Sequence, residues 1–104
     1  MVFIETPVFT RLVTAGLTDE DYGAFQEWLA GRPDVGTAIR GGGGIRKVRW
    51  ALPGRGKSGG IRVIYFWRVN QAQILLLTLY AKNERTDLSD AQVRQLAKYV
   101  KALK

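Results

Sequence analysis

The residues of this sequence best placed for chemistry are cations. Lys47 and Arg49 stand two positions apart in an alternating stretch, so on a strand both point to one side. Arg62 opens a second β-rich stretch beyond a glycine-rich gap, and Lys82 follows the longest apolar run. Cations on neighbouring strands repel one another, and that spacing only costs stability unless a polyanion sits among them. The sequence contains no histidine and no cysteine. The usual neutral-pH base, the commonest metal ligand, the thiolate nucleophile and the disulfide framework are therefore missing together. Any catalysis must run on Lys, Arg, Tyr, Ser or carboxylates, and no metal or cofactor is expected.

The charge is unevenly spread. Residues 1–34 carry two basic and six acidic side chains, a net −4. Residues 35–83 carry nine basic ones (Arg40, Arg46, Lys47, Arg49, Arg55, Lys57, Arg62, Arg68 and Lys82) and no carboxylate, a net +9. Residues 84–104 add five basic and three acidic, a net +2, which completes the total of +7. A folded domain with such a central block projects a strong positive field from the face that carries it, and a polyanion is its natural partner. A membrane surface is not, because the cations do not line one amphipathic helix opposite bulky apolar residues. The longest apolar run, residues 74–81, falls far short of the ~20 residues that span a bilayer, and no basic-then-apolar leader opens the sequence. The expected location is the cytoplasm.

Those cations need elements to hold them. At 104 residues and 46% hydrophobic content the chain is expected to form one domain, residues 1–104, around one modest core. Residues 2–5 read as an opening or edge strand. Thr6 as N-cap and Pro7 at the first helical position start a helix that Gly16 stops. Thr18 caps a second helix whose first turn holds Asp19, Glu20 and Asp21, with Tyr22, Phe25, Trp28 and Leu29 as its apolar stripe. Gly31 and Pro33 end it, giving a helical hairpin. From Ile45 the period becomes two, with Val48, Trp50 and Leu52 on one side of a strand and Lys47, Arg49 and Ala51 on the other. Residues 61–69 form a second strand. Residues 74–81, apolar on both faces, form a third and central one. Ser89 caps a last helix, Gln92 completes a capping box, and Val93, Leu96, Ala97, Val100 and Leu103 make its stripe. The predicted architecture is α+β, with the hairpin and the C-terminal helix covering one face of a small antiparallel sheet.

Two glycine-rich segments invite a phosphate-loop reading. Gly41 to Gly44 precedes no helix start, so a connector is the better account. Ala51-Leu-Pro-Gly-Arg-Gly-Lys57-Ser58 has a relaxed phosphate-loop pattern but leads into a strand, where nucleotide binding needs a helix N-terminus. It reads as a hairpin loop that carries Arg55 and Lys57 into solvent. Trp50, Phe66 and Trp67 read as core. Tyr65 and Tyr80, on strands, can offer a hydroxyl or a ring to RNA.

Gly44-Ile-Arg-Lys-Val-Arg-Trp50, Gly60-Ile-Arg-Val-Ile-Tyr65 and Leu77-Thr-Leu-Tyr-Ala-Lys-Asn-Glu-Arg85, followed by the helix opening at Ser89, closely resemble the HigB-like branch of the RelE superfamily of toxins. The likeness runs through nearly the whole chain in order. It implies a metal-independent endoribonuclease that cleaves messenger RNA in the ribosomal decoding site. It also implies a partner antitoxin, expected to carry a helix-turn-helix and an acidic toxin-binding segment. By motif position, Lys47 and Arg49 match the paired cations of the first long strand, Arg62 the arginine opening the next, and Lys82 the basic turn after the central strand. Asn83 stands where relatives often have arginine.

Cleaving RNA through its own 2′-hydroxyl requires a base for that proton, stabilisation of the charge on the phosphorane, and an acid for the leaving oxygen. In a crowd of cations a lysine's protonated form is disfavoured, so Lys47 can act as base. Arg49 and Arg62 then hold the phosphate, Lys82 or Lys57 serves as acid, and Glu84 orients one of them or is a second base. Arg46, Arg55, Lys57, Tyr65, Tyr80 and Asn83 complete the expected RNA contacts. Rival readings are a ParE-like gyrase-inhibiting toxin, against which Lys47, Arg49 and Arg62 argue, and an RNA-binding module without catalysis.

Overall fold

Each described α-helix of the computed structural model begins at a hydroxyl side chain that satisfies an amide at the helix start. Residues 1–51, 60–82 and 87–103 are described. Thr6 caps α1 (Pro7–Gly16), Thr18 caps α2 (Asp19–Gly31) and Ser89 caps α3 (Asp90–Ala102). Thr6 does more than cap: its Oγ1 accepts from the Phe9 amide at 3.0 Å and donates to the Leu77 carbonyl at 2.7 Å, which ties the start of α1 to the sheet. At Ser89 both halves of the capping box form. Leu88, just before that cap, lies half-buried in the apolar cluster under α3.

Among the described residues the sheet has five strands: β1 (Val2–Glu5), β2 (Thr37–Ala38), β3 (Arg46–Trp50), β4 (Ile61–Arg68) and β5 (Gln73–Ala81), in spatial order β1-β5-β4-β3-β2. It is mixed rather than purely antiparallel, because β1 runs parallel to β5. The short β2, which the sequence did not signal, pairs with β3 through Thr37 and Ala38. A single 3-10 turn, Val69–Gln71, and left-handed Ala72 (φ 51°) join β4 to β5.

The helices do not share one face of the sheet. Phe9, Val13, Phe25 and Leu29 of the hairpin pack on Val48, Val63, Tyr65, Ile74 and Leu76, while Val100 of α3 packs on Ile45, Ile64, Phe66, Leu75 and Leu77 from the other side. The alternation of strand side chains explains this correction. β4 and β5 are apolar on both faces, and each apolar face must be covered. Trp50 and Trp67 join the hairpin side and Phe66 the α3 side, all as core.

The tetraglycine is a built turn between β2 and β3. Gly44 has φ +109°, and a Cβ there would stand 2.9 Å from the Phe66 ring. Only glycine meets both demands. Gly44→Ala is expected to lower stability by roughly 1–3 kcal/mol, read as a lower urea midpoint at unchanged slope. An unaltered midpoint would show that this turn is not held as described.

Candidate functional site

Strand register gathers the cations. β3 and β4 pair antiparallel so that Arg49 lies directly opposite Arg62 and Lys47 opposite Ile64, and Arg62 is in turn opposite Tyr80 of β5. Directly opposed residues point to one face, so Lys47, Arg49, Arg62 and Tyr80 share the α3 side of the sheet. They lie beside the N-terminal end of that helix. Arg49 is exposed, and Lys47 and Arg62 are half-buried. Opposed positions bring Cβ atoms to about 5 Å, where two guanidinium stems are a liability. The Arg62 Nε is also buried, without a hydrogen-bond partner among the described residues. An orphaned, charged donor of this kind is costly unless an anion arrives to accept from it.

Among the described residues one carboxylate reaches this group. Asp87 Oδ1 lies 3.3 Å from Lys47 Nζ. The same oxygen accepts from the Leu88 amide at 2.9 Å. That amide first, and then Lys47 and the charge of Arg62, hold the Asp87 carboxyl below the usual carboxylate range. Asp87 is not among the residues that the sequence singles out. Its one signal was position, an acidic residue two before the Ser89 cap and on the edge of the cationic block.

Lys82 is exposed just beyond β5, where its amide donates to the Gly60 carbonyl at 3.2 Å, so it stands at the same end of the β4–β5 pair as Arg62. Arg55, Lys57, Asn83 and Glu84 lie outside the described residues. Among the described residues no group of three His, Cys, Asp or Glu side chains gathers to hold a metal ion.

Two expected RNA contacts are placed elsewhere. Arg46 and Tyr65 oppose each other on the hairpin side of the sheet. Arg46 donates to the carbonyls of Asp34 (3.1 Å) and Gly36 (2.7 Å). The Tyr65 hydroxyl donates to the Pro33 carbonyl at 2.8 Å and accepts from the Gly36 amide at 2.9 Å. Tyr65 is fully buried, and burial pushes its hydroxyl pKa up. Both residues therefore fasten the segment between α2 and β2 and meet no ligand on the cationic face. Period two decides it: each is an odd number of residues from Lys47 or Arg62. Tyr80 does share the face of Arg62, but at 7% exposure its ring is covered and cannot serve as a stacking platform.

A separate groove of about 650 Å³ runs between α1, β5 and α3, lined by Val8, Leu12, Leu79, Leu88, Leu96 and Tyr99 among others. It is largely apolar, and none of the clustered cations lines it.

The profile of the family described as "RelE toxin of RelE / RelB toxin-antitoxin system" matches residues 19–104. Among solved structures, the chain is similar to an arginine-to-alanine double mutant of the E. coli toxin RelE in the free state, with TM-score 0.60 and 12% identity over 95% of this chain and 95% of that one. It is also similar to the isolated E. coli RelE toxin, with TM-score 0.57 and 12% identity over 99% of this chain and 98% of that one.

Proposed function

Because the chain belongs to the RelE toxin family, we propose that it is a messenger-RNA endoribonuclease that works in the cytoplasm on ribosome-bound transcripts and is neutralised by a cognate antitoxin. The observation that carries this reading is the face-sharing of Lys47, Arg49 and Arg62, with Arg49 and Arg62 directly opposed and the Arg62 Nε unpartnered among the described residues. Such an arrangement gains only when a phosphate lies across it. The reaction is attack of the 2′-oxygen on the adjacent phosphorus with breaking of the bond to the 5′-oxygen. A 2′,3′-cyclic phosphate and a free 5′-hydroxyl result, the 2′ proton passing to a base and a proton reaching the leaving oxygen. Arg49 and Arg62 stabilise the charge that builds on the phosphorane. Lys82, at the same end of the sheet, or Lys57 serves the leaving group as acid.

Sequencing the 5′ ends of transcripts after brief induction tests the proposal. New ends confined to translated regions are expected. Intact messages with gyrase-linked DNA breaks would replace it with the ParE-like alternative, and RNA binding without new ends would leave a binding module.

The antitoxin is expected to bring an acidic segment to the central +9 block, with encounter sped by charge. Its association rate should then fall clearly as salt rises through physiological strength, where the screening length is about 8 Å. A rate that stays flat in stopped-flow measurements would turn attention to the apolar groove beside α3 as its seat.

A further inference from the structure

The strand face that carries Lys47, Arg49 and Arg62 accounts for only part of the positive charge on its side of the sheet. Arg94, Lys98 and Lys101 are all exposed on α3, at spacings of four and three residues. They therefore fall within an arc of roughly 60° around the helix. Leu96, Val100 and Leu103, on the opposite side of α3, are packed into the cluster beneath it. Like charges at these spacings stand about 6 Å apart and weaken a helix. The helix dipole favours Lys101, in the last turn, but not Arg94, in the second turn after the Ser89 cap. Asp90 is the one acidic residue of α3, and among the described residues no carboxylate lies within ion-pair distance of the three cations. The β2–β3 turn adds a fourth charge beside them. A Cβ at Gly43 would lie 3.8 Å from Ala97, the helical neighbour of both Arg94 and Lys101, and the same turn carries exposed Arg40.

The hairpin side of the sheet has the other sign. α2 holds no basic residue and exposes Asp19, Glu20 and Glu27. A polyanion is thus drawn to the α3 side alone. We propose that the outer face of α3, with Arg40 beside it, is a second RNA-docking surface that grips the sugar–phosphate backbone of ribosomal RNA while the strand face holds the scissile phosphate. This rests on the ribonuclease reading above. A message lying on Lys47, Arg49 and Arg62 would have to climb over a helix about 10 Å thick to reach the stripe, so a different strand occupies it. Lysines and arginines that meet only phosphates position a nucleic acid and read no sequence. That suits an RNA present whichever message is being translated. A lipid surface is a poorer fit, because the apolar side of α3 is already packed on the sheet.

The test separates docking from chemistry. Arg94, Lys98 and Lys101 are replaced together by glutamine, a comparably good helix former, and folding is checked by circular dichroism. Glu20→Gln with Glu27→Gln is the control on the hairpin side. Binding to programmed ribosomes is measured by co-sedimentation over a range of salt, and cleavage of a defined message by kcat and KM. The triple variant is expected to raise KM for ribosomes about tenfold at physiological salt, to keep kcat within about twofold, and to lower the salt slope of binding by about 2. The control should leave that slope as in wild type. An unchanged KM and salt slope in the triple variant overturns the proposal, and so does a loss in kcat at unchanged KM. Slower capture by the antitoxin with ribosome binding intact would assign the stripe to a protein partner and overturns it as well. Wild-type protein that binds ribosomes and cuts nothing sinks only the ribonuclease reading, and the salt slope still decides the docking surface. Failure to bind ribosomes at all overturns both.

Discussion

Arg62→Ala is expected to lower ribosome-dependent cleavage about a hundredfold or more, equivalent to roughly 3 kcal/mol of transition-state stabilisation, while the protein stays folded. The guanidinium opposes Arg49 across the β3–β4 pair, and its Nε has no hydrogen-bond partner among the described residues. Among the described residues its Nε makes no hydrogen bond that the change would break, and the change relieves the repulsion between two like charges at opposed positions. The attraction between Arg62 and the Asp87 carboxylate is lost at the same time, so thermal stability should change little. Activity falls because the donor that would meet the phosphorane's extra charge is gone, and a loss confined to that charge appears in kcat more than in KM. Growth arrest on induction supplies the cellular readout. A folded Arg62→Ala protein that still arrests growth at full strength, with undiminished cleavage in vitro, would remove this face from the mechanism.

Tyr65→Phe has the opposite expected profile, a stability loss with cleavage per folded molecule retained. Its hydroxyl both donates to Pro33 and accepts from Gly36, in a site with no exposure. The phenylalanine leaves a buried amide and carbonyl without that partner, at a cost of about 2 kcal/mol. For a domain near this size each kcal/mol shifts Tm by roughly 4–8 °C, so a fall of about 10 °C is expected in a thermal scan. The Gly36 position shows how close the fit is: a Cβ there would lie 2.7 Å from the Tyr65 hydroxyl. If Tyr65→Phe instead melted like wild type and lost cleavage, the tyrosine would belong to the RNA site after all.

The contrast between Arg62 and Tyr65 marks the boundary of what the sequence made legible. Both are polar-tipped side chains on the same predicted strand, three residues apart. Period two sends them to opposite faces, and the sequence reading placed Arg62 on the cationic side from its pairing with Lys47 and Arg49. For Tyr65 chemistry was weighed ahead of parity, and its buried neighbours were invisible. Arg46 went the same way, since the cationic block was treated as one surface although alternation splits it between two. Tyr80 has the right parity, yet its burial depends on α3 and the apolar cluster beneath it, which no local pattern discloses.

Local signals determined the elements. Thr6, Thr18 and Ser89 are hydroxyl caps whose side chains satisfy amides a few residues on, and that chemistry is complete within a few residues of chain. The alternation around Lys47 and Arg49, the two-faced apolar character of β5 and the family motifs are likewise contained in short windows, so the α+β class, the toxin family and the cationic strand face could be read before any coordinates. Contacts between residues far apart in the chain were decided by tertiary structure alone. These include the placing of α3 on the face opposite the hairpin, the parallel entry of β1 beside β5, the addition of β2 and, above all, the seating of Asp87 against Lys47 some forty positions away. The physical reason is common to all of them. Caps and periodicity are energies of neighbours along the chain, whereas which apolar face is covered by which helix, and which carboxylate meets which ammonium, is settled only when the whole chain minimises its exposed apolar surface and its unpaired charge together.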